Sequence, residues 1–344
     1  MASTQRRADR PRVPSIGDVA ALAGVSAQTV SRVSTGSPSV RPATRERVLK
    51  AMTELGYAPN RAARALRVGT VESIGIVSQR HPRLADSLAV TAAAAAAQEH
   101  GYSVKLVEAP EPNPEGSDPA ARLLSDIALD GLVLIRAGHA ASADLPLPPG
   151  LPAVVADSRL AGRYPSVVCN EVRGAEEAIS HLLQLGHRTV HHLAGPQDSH
   201  GANVRAATWR RCVARAGATA PEPLFGDWSP GSGYALGREL ARDPDLTAVF
   251  CANDEMAFGL IRALREAGLR VPDDVSVVGF DDIPLAEYGH PPLTTVSLDF
   301  ERLGRELVRV LAEQLSGPAP ASVPRVVLPT RLVVRATTGP PPRA

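Results

Sequence analysis

Between Ser15 and Ser34 the chain reads SIGDVAALAGVSAQTVSRVS. Apolar residues recur at helical spacing in two short runs, 16–22 and 27–34, separated by Ala23-Gly24-Val25, where glycine permits a sharp turn. The pattern predicts a helix-turn-helix. In the second run Val30 and Val33 lie three apart and face inward, which leaves Gln28, Thr29, Ser31 and Arg32 outside and Ser26 placed as the cap. A third stripe, Val48, Met52 and Leu55 within 42–55, closes a three-helix head over residues 15–58. Residues 1–14 lack periodicity and read as a flexible basic arm. After the head comes YAPNRAARALR; a helix opening at Asn60 would have only about two turns and needs a partner to fold, so 59–70 reads as a hinge helix and linker.

From Glu72 the period changes. SIGIVS, YSVKLVE, GLVLI and PAVVAD read as buried strands, with helices over 84–100 and 120–129. A second set starts near Glu171, with helices ending near Leu185, Ala216, Arg242 and Ala267 and strands at TVHHLAG, Phe225, TAVFCA and VSVVGF. Strands alternating with helices imply parallel sheets. The expected fold is α/β: a small all-α head and, over 71–338, two doubly wound parallel-sheet subdomains. LTTVSLD, a helix over 302–315, PRVVLP and RLVVRAT are expected to cross back to the first half, and 339–344 is a tail.

Charge sharpens the division. Residues 1–70 hold 12 Lys and Arg against 4 Asp and Glu, whereas the remaining chain holds 25 against 32. A basic head on an acidic body suits a polyanion bound at one end. The three cysteines, Cys169, Cys212 and Cys251, have no paired spacing, so neither a disulfide framework nor a metal site is expected. No apolar run approaches the ~18 residues of a membrane span, and no apolar signal core follows the basic start, which reads as a cytoplasmic protein.

VAALAGVSAQTVSRV followed by RPATRERVLKAMTELGYAPNRAARALR resembles the lactose repressor family of bacterial transcription regulators, and the likeness continues from Ser15 to about Thr338. It implies a periplasmic-binding-protein-type body that binds a small effector between its halves. It further implies a homodimer on double-stranded operator DNA, with no cofactor and no catalysis. The DNA-contacting set it implies is Ser15, Ser26, Gln28, Thr29, Ser31, Arg32, Thr35, Thr44, Tyr57, Asn60, Arg61 and Leu66, with Leu66 as the wedge that the family's hinge helix pushes into the minor groove.

Sheets of this kind bind ligands beyond the carboxyl ends of their strands. Asp157 follows VVA, Asn253 and Asp254 follow VFCA, and Asp281 follows VVGF. Carboxylates and amides there suit sugar hydroxyls, and the family uses the positions of Asn253 and Asp281; Asp254 precedes a helix and is expected to cap it. Trp228, in GDWSPGSGY, suits stacking on a sugar face, with core packing as its alternative. Asn203 stands where the resemblance places a pocket arginine, and Arg205 follows two residues on. The expected effector set is Asp157, Asn203, Trp228, Asn253 and Asp281, for a sugar or glycoside.

Other classes have less behind them. His191 and His192 are adjacent in a strand and point to opposite faces, and no H-E-x-x-H, G-x-S-x-G or Walker loop exists. A free-standing sugar-binding protein would need export and has no use for a basic head. A regulator with a nucleoside or purine-type corepressor keeps the same architecture with a different ligand.

Overall fold

The computed structural model describes residues 14–34, 37–57, 71–79, 83–109, 128–135, 147, 150–156, 159–317 and 322–342. It divides into two compact units, Met1–Val71 and Glu72–Ala344.

The first unit contains α1 (Ile16–Ala23), α2 (Ala27–Ser34) and α3 (Pro42–Leu55). Ser15 and Asp18 cap α1 reciprocally: the Ser15 hydroxyl accepts from the Asp18 amide at 3.3 Å, and the Asp18 carboxylate accepts from the Ser15 amide at 2.7 Å. Gly24 ends α1 in the left-handed region, with φ 63°. Val19, Val30, Val33, Val48 and Met52 meet in one core. Each buried valine there contributes about 1.5–3 kcal/mol, enough to hold three helices that would not persist singly.

The second unit begins with β1 (Ser73–Gln79), α4 (Leu84–Glu99), β2 (Ser103–Ala109), β3 (Gly131–Leu134), β4 (Ala153–Val155) and β5 (Ser166–Cys169). Then follow α5 (Glu171–Gln184), β6 (His191–Ala194), α6 (His200–Arg215), β7 (Leu224–Phe225), α7 (Pro230–Leu240), β8 (Ala248–Cys251), α8 (Asp254–Glu266) and β9 (Ser276–Val278). The chain closes with α9 (Leu285–Tyr288), β10 (Thr295–Ser297), α10 (Phe300–Ser316), β11 (Arg325–Leu328) and β12 (Arg331–Val333). A six-stranded parallel sheet has the order β11-β5-β4-β3-β1-β2, and a four-stranded parallel sheet has the order β7-β6-β8-β9. The two sheets form the two expected halves.

Chain return is more divided than expected. The helix α10 does cross back, burying Leu303, Leu307, Val308 and Leu311 with Ala89, Ala93 and Ala96 of α4, and β11 pairs with β5. The alanine-rich run in α4 is therefore a packing surface for a neighbouring helix. By contrast β10 and β12 pair antiparallel with each other, and the segment after β12 joins the second half, where the Val277 amide donates to the Thr337 carbonyl at 2.8 Å. The strand β5 and the single turn α9 are additions to the expected set, while the helix expected over 120–129 lies outside the described residues. Among the described residues no helix is long and apolar enough to cross a membrane.

Candidate functional site

Two surfaces carry functional chemistry, one on each unit. On the first, α2 buries Val30 and Val33 and exposes Gln28 and Arg32, four residues apart on one face, with Thr29 and Ser31 half-buried between them. The Ser26 hydroxyl accepts from the Thr29 amide at 3.2 Å and lies 3.0 Å from the Thr29 hydroxyl. Serine at the cap thereby orients the first turn of α2. An amide and a guanidinium projecting from a short helix match the donor and acceptor edges of bases in the major groove. Ser15 is engaged in the α1 cap, Thr44 lies in the first turn of α3, and Tyr57 packs against the head's core with its amide on the Met52 carbonyl at 2.8 Å. Thr35, Asn60, Arg61 and Leu66 lie outside the described residues.

On the second unit a cleft with a cavity of about 110 Å³ lies at the carboxyl ends of both parallel sheets. Ala85, Ala89, Ile135, Leu298, Phe300 and Leu303 make an apolar wall. Facing it are Arg205, Asp281, Trp228, Glu171, Ser199 and His200. An apolar wall opposite a few convergent polar groups is the usual form of a small-molecule site.

Its polar floor centres on Arg205, only 2% exposed. The guanidinium donates to Glu171 at 2.9 Å and to the Ala252 carbonyl, and lies 3.8 Å over the Phe280 ring. It approaches Asp281 at 3.6 Å, an ionic contact too long for a hydrogen bond. Asp281, 1% exposed, has φ 113°, and its amide is anchored on the Val296 carbonyl at 2.9 Å. Neither of its carboxylate oxygens has a hydrogen-bond partner, nor does Nε of Arg205. Burial pushes the Asp281 carboxyl up to about 7, with Arg205 and Arg83 holding it down.

Trp228, at φ 74°, lies across Gly195, where a Cβ would come within 2.4 Å of the ring. Arg83, beyond the end of β1, places its guanidinium 4.6 Å over the indole and pairs with Asp86 at 2.9 and 3.1 Å. Its charge is held firmly: burial opposes it, but Asp86, Asp281 and Glu171 outweigh the burial.

The structure places Trp228 and Asp281 in the lining of one cleft and puts three other residues elsewhere than expected. Asn203 is exposed on the outer side of α6, donating to the Gln197 carbonyl at 2.8 Å. Two residues turn a helix by about 200°, so Arg205 faces inward where Asn203 faces out, and Arg205 is the cleft arginine. Asn253 is buried and committed: Oδ1 accepts from the Met256 amide at 3.1 Å, while Nδ2 donates to the Trp228 carbonyl at 3.0 Å and to Glu255 at 2.8 Å. It is therefore the cap of α8 and the tether of Trp228, and Asp254 is not the cap. Asp254 instead accepts from the Thr295 hydroxyl at 2.5 Å and the Ile283 amide at 2.9 Å, pinning the loop that carries Asp281. Asp157 lies outside the described residues.

Glu171 and Arg83 were not legible as cleft residues. The signal for Arg205 was present, since it lies four residues before Trp209, whose indole donates to the Val190 carbonyl at 2.8 Å inside the core. His191 and His192 do separate: His191 sits 3.0 Å from Asp243, whereas His192 stacks on Phe250 at 5.0 Å and burial takes it down to about 4. Among the described residues no group of three or more His, Cys, Asp or Glu is arranged to hold a metal ion.

Comparison with known proteins agrees with this division. Residues 15–60 match the bacterial regulatory proteins, lacI family, and residues 179–338 match the periplasmic binding protein-like domain. The HTH-type transcriptional regulator CelR of Thermobifida fusca is 37% identical over 343 residues, spanning 95% of this chain and 99% of the relative. The lactose operon repressor of Escherichia coli (strain K12) is 35% identical over 330 residues, spanning 93% and 89%. Among solved structures, the Lac repressor dimer bound to operator and the anti-inducer ONPF superposes with a TM-score of 0.82 at 34% identity, over 95% of this chain and 100% of that one. A complex of the transcriptional regulator CelR with cellobiose gives 0.70 at 34% identity, over 94% and 99%. With a helix-turn-helix head, a two-halved binding body and relatives that match along nearly their whole length, the chain belongs to the lacI family of DNA-binding transcriptional regulators.

Proposed function

We propose that this regulator is a repressor that acts in the cytoplasm as a homodimer on a near-palindromic operator, with its DNA affinity set by a sugar or glycoside held in the cleft. Gln28 and Arg32 are its base readers, and Ser26, Thr29 and Ser31 flank them. The hinge segment with Asn60, Arg61 and Leu66 couples the body to DNA, and no residue is assigned a catalytic role.

One observation carries the ligand class: the two unpartnered oxygens of Asp281, buried beside Arg205 and in the same cleft as Trp228. A buried acceptor left unpaired costs about 1–3 kcal/mol, so the site calls for donors. Vicinal hydroxyls satisfy both oxygens and return an acceptor to Nε of Arg205, while a ring face and apolar substituents suit Trp228 and the wall at Leu298 and Phe300. A relative that is 37% identical over nearly the full chain has a namesake solved with cellobiose, which supports the same class.

The test is a thermal-shift screen of sugars, glycosides and nucleosides, followed by operator titration with and without each hit. A ligand bound only by the native state raises the melting temperature, and one that acts on the switch changes operator affinity by about 5- to 150-fold. Hits confined to nucleosides or purines would replace the sugar reading.

A further inference from the structure

We propose that Glu171 makes the cleft selective for an uncharged polyhydroxylated ligand and excludes its phosphorylated or carboxylated counterpart. This rests on the sugar reading above and assigns its specificity to a residue at the crossover between the halves.

Two features of the cleft would ordinarily attract an anion. The amino end of α6 opens into it at Ser199, His200 and Gly201, and Arg205 lies one turn further on. Helix amino ends and guanidiniums are standard phosphate ligands. Here Glu171 holds the guanidinium and lies beside the first turn of α6. Its Oε1 accepts from Arg205 at 2.9 Å, and a Cβ added at Gly201 would lie 3.2 and 3.3 Å from its two carboxylate oxygens. Glycine at 201 lets the carboxylate lie against the first turn of α6, close to where an anion would approach.

The charges of the cleft are mixed in sign. Arg83, Arg159 and Arg205 line the cleft together with Asp86, Glu171 and Asp281, so carboxylates already stand beside the cleft arginines before any ligand enters. Arg83 is held by Asp86 through two hydrogen bonds. Asp281 adds a second argument: its two buried oxygens, at the lining of the cleft, have no hydrogen-bond donor and call for one, which a phosphate or carboxylate group does not itself supply. A neutral hydroxyl meets both demands, donating to Asp281 and accepting from Arg205. An added negative charge would find the Arg205 guanidinium already held by the Glu171 carboxylate and would be repelled by it, at a penalty of about 100-fold or more in affinity.

The experiment uses the full chain and matched probes: cellobiose and glucose beside their 6-phosphates, with inorganic phosphate alone. Binding is read by melting temperature and calorimetry in the parent and in Glu171→Gln, which keeps a carbonyl for Arg205 while removing the charge. In the parent, the neutral sugars bind and their phosphates bind at least about 100-fold more weakly. In Glu171→Gln the gap narrows to under about tenfold, and inorganic phosphate raises the melting temperature of the variant only. A phosphate ester that binds the parent as tightly as its neutral sugar overturns the proposal without use of the variant. Unchanged discrimination in a folded Glu171→Gln overturns the role of Glu171. If no sugar in either form binds the parent, the sugar reading fails; phosphate capture by Glu171→Gln alone would still uphold the charge exclusion.

Discussion

The backbone amide of Leu84 in the first turn of α4 donates to the Glu255 carboxylate at 3.2 Å, and the two residues belong to opposite halves of the body. The other Glu255 oxygen accepts from Asn253, which also holds the Trp228 carbonyl, and Trp228 carries the guanidinium of Arg83, the neighbour of Leu84. These contacts form a closed ring between the two halves, and they satisfy an amide that no side-chain cap of α4 serves. Glu255→Ala opens the ring. Amides in the first turn of α4 then exchange with deuterium about tenfold faster, while those of β8 and β9 keep their protection. Unchanged exchange at Leu84 would show that Glu255 does not tie the halves.

Proton binding at Asp281 gives a second expectation. Its carboxyl is raised to about 7 from an ordinary value of 3.8, chiefly by burial, with Arg205 and Arg83 lowering it and Glu255 and Asp86 raising it. Asp254, also buried and itself raised, lies in the same field. The folded chain therefore holds a proton that the unfolded chain releases between about pH 4 and 7, so this group's contribution to stability falls as pH rises through that window. Asp281→Asn removes the penalty. Its melting temperature should exceed the parent's at pH 8 and converge with it only below about pH 4; a constant difference across that range would assign the effect to packing. Ligand hydroxyls that donate to the ionised form also make effector binding tighter toward pH 8.

Arg205 and Asn203 separate the inward from the outward face of α6. Arg205→Ala leaves Glu171 and Asp281 without their shared cation in a buried setting, a loss of about 3–5 kcal/mol. Asn203→Ala removes one exposed hydrogen bond and should stay within about 0.5 kcal/mol. Urea denaturation of both variants decides between them, and equal losses would contradict the placement of these side chains.

That pair also shows how far residue order can be read. The head was legible because Val30, Val33, Val48 and Met52 fall at helical spacing, and the spacing is local. Trp228 and Asp281 were legible because a strand's carboxyl end is a position in the sequence as well as in space. Arg205 was passed over because an offset of two residues looks small along the chain but reverses the face of a helix. Asn253 has cap chemistry and ligand chemistry in one side chain, and only the contacts with Met256, Trp228 and Glu255 tell which it uses. Glu171 and Arg83 lie just beyond the ends of β5 and β1, at places no period marks. The strand β5 is four residues long and follows Pro165, too short to alternate visibly.

The outer face of α2 yields the last expectation. Gln28 and Arg32 are exposed on one side of a helix whose other side is fixed by Val30 and Val33, so truncating Gln28 leaves the head's core untouched. A glutamine amide reads adenine through two hydrogen bonds, and losing it should cost about 1 to 3 kcal/mol of specific binding and relax preference at one or two base pairs of each half-site. Two heads in a dimer would place such half-sites about 34 to 36 Å apart, so the relaxed positions should appear twice, symmetrically. A phosphate contact behaves otherwise, since its loss weakens all sequences alike and lowers the salt dependence of binding. Selection from random DNA with Gln28→Ala, paired with salt titration, separates the two roles: an unchanged preferred site with a shallower salt slope would make Gln28 a backbone contact and leave base reading to Arg32.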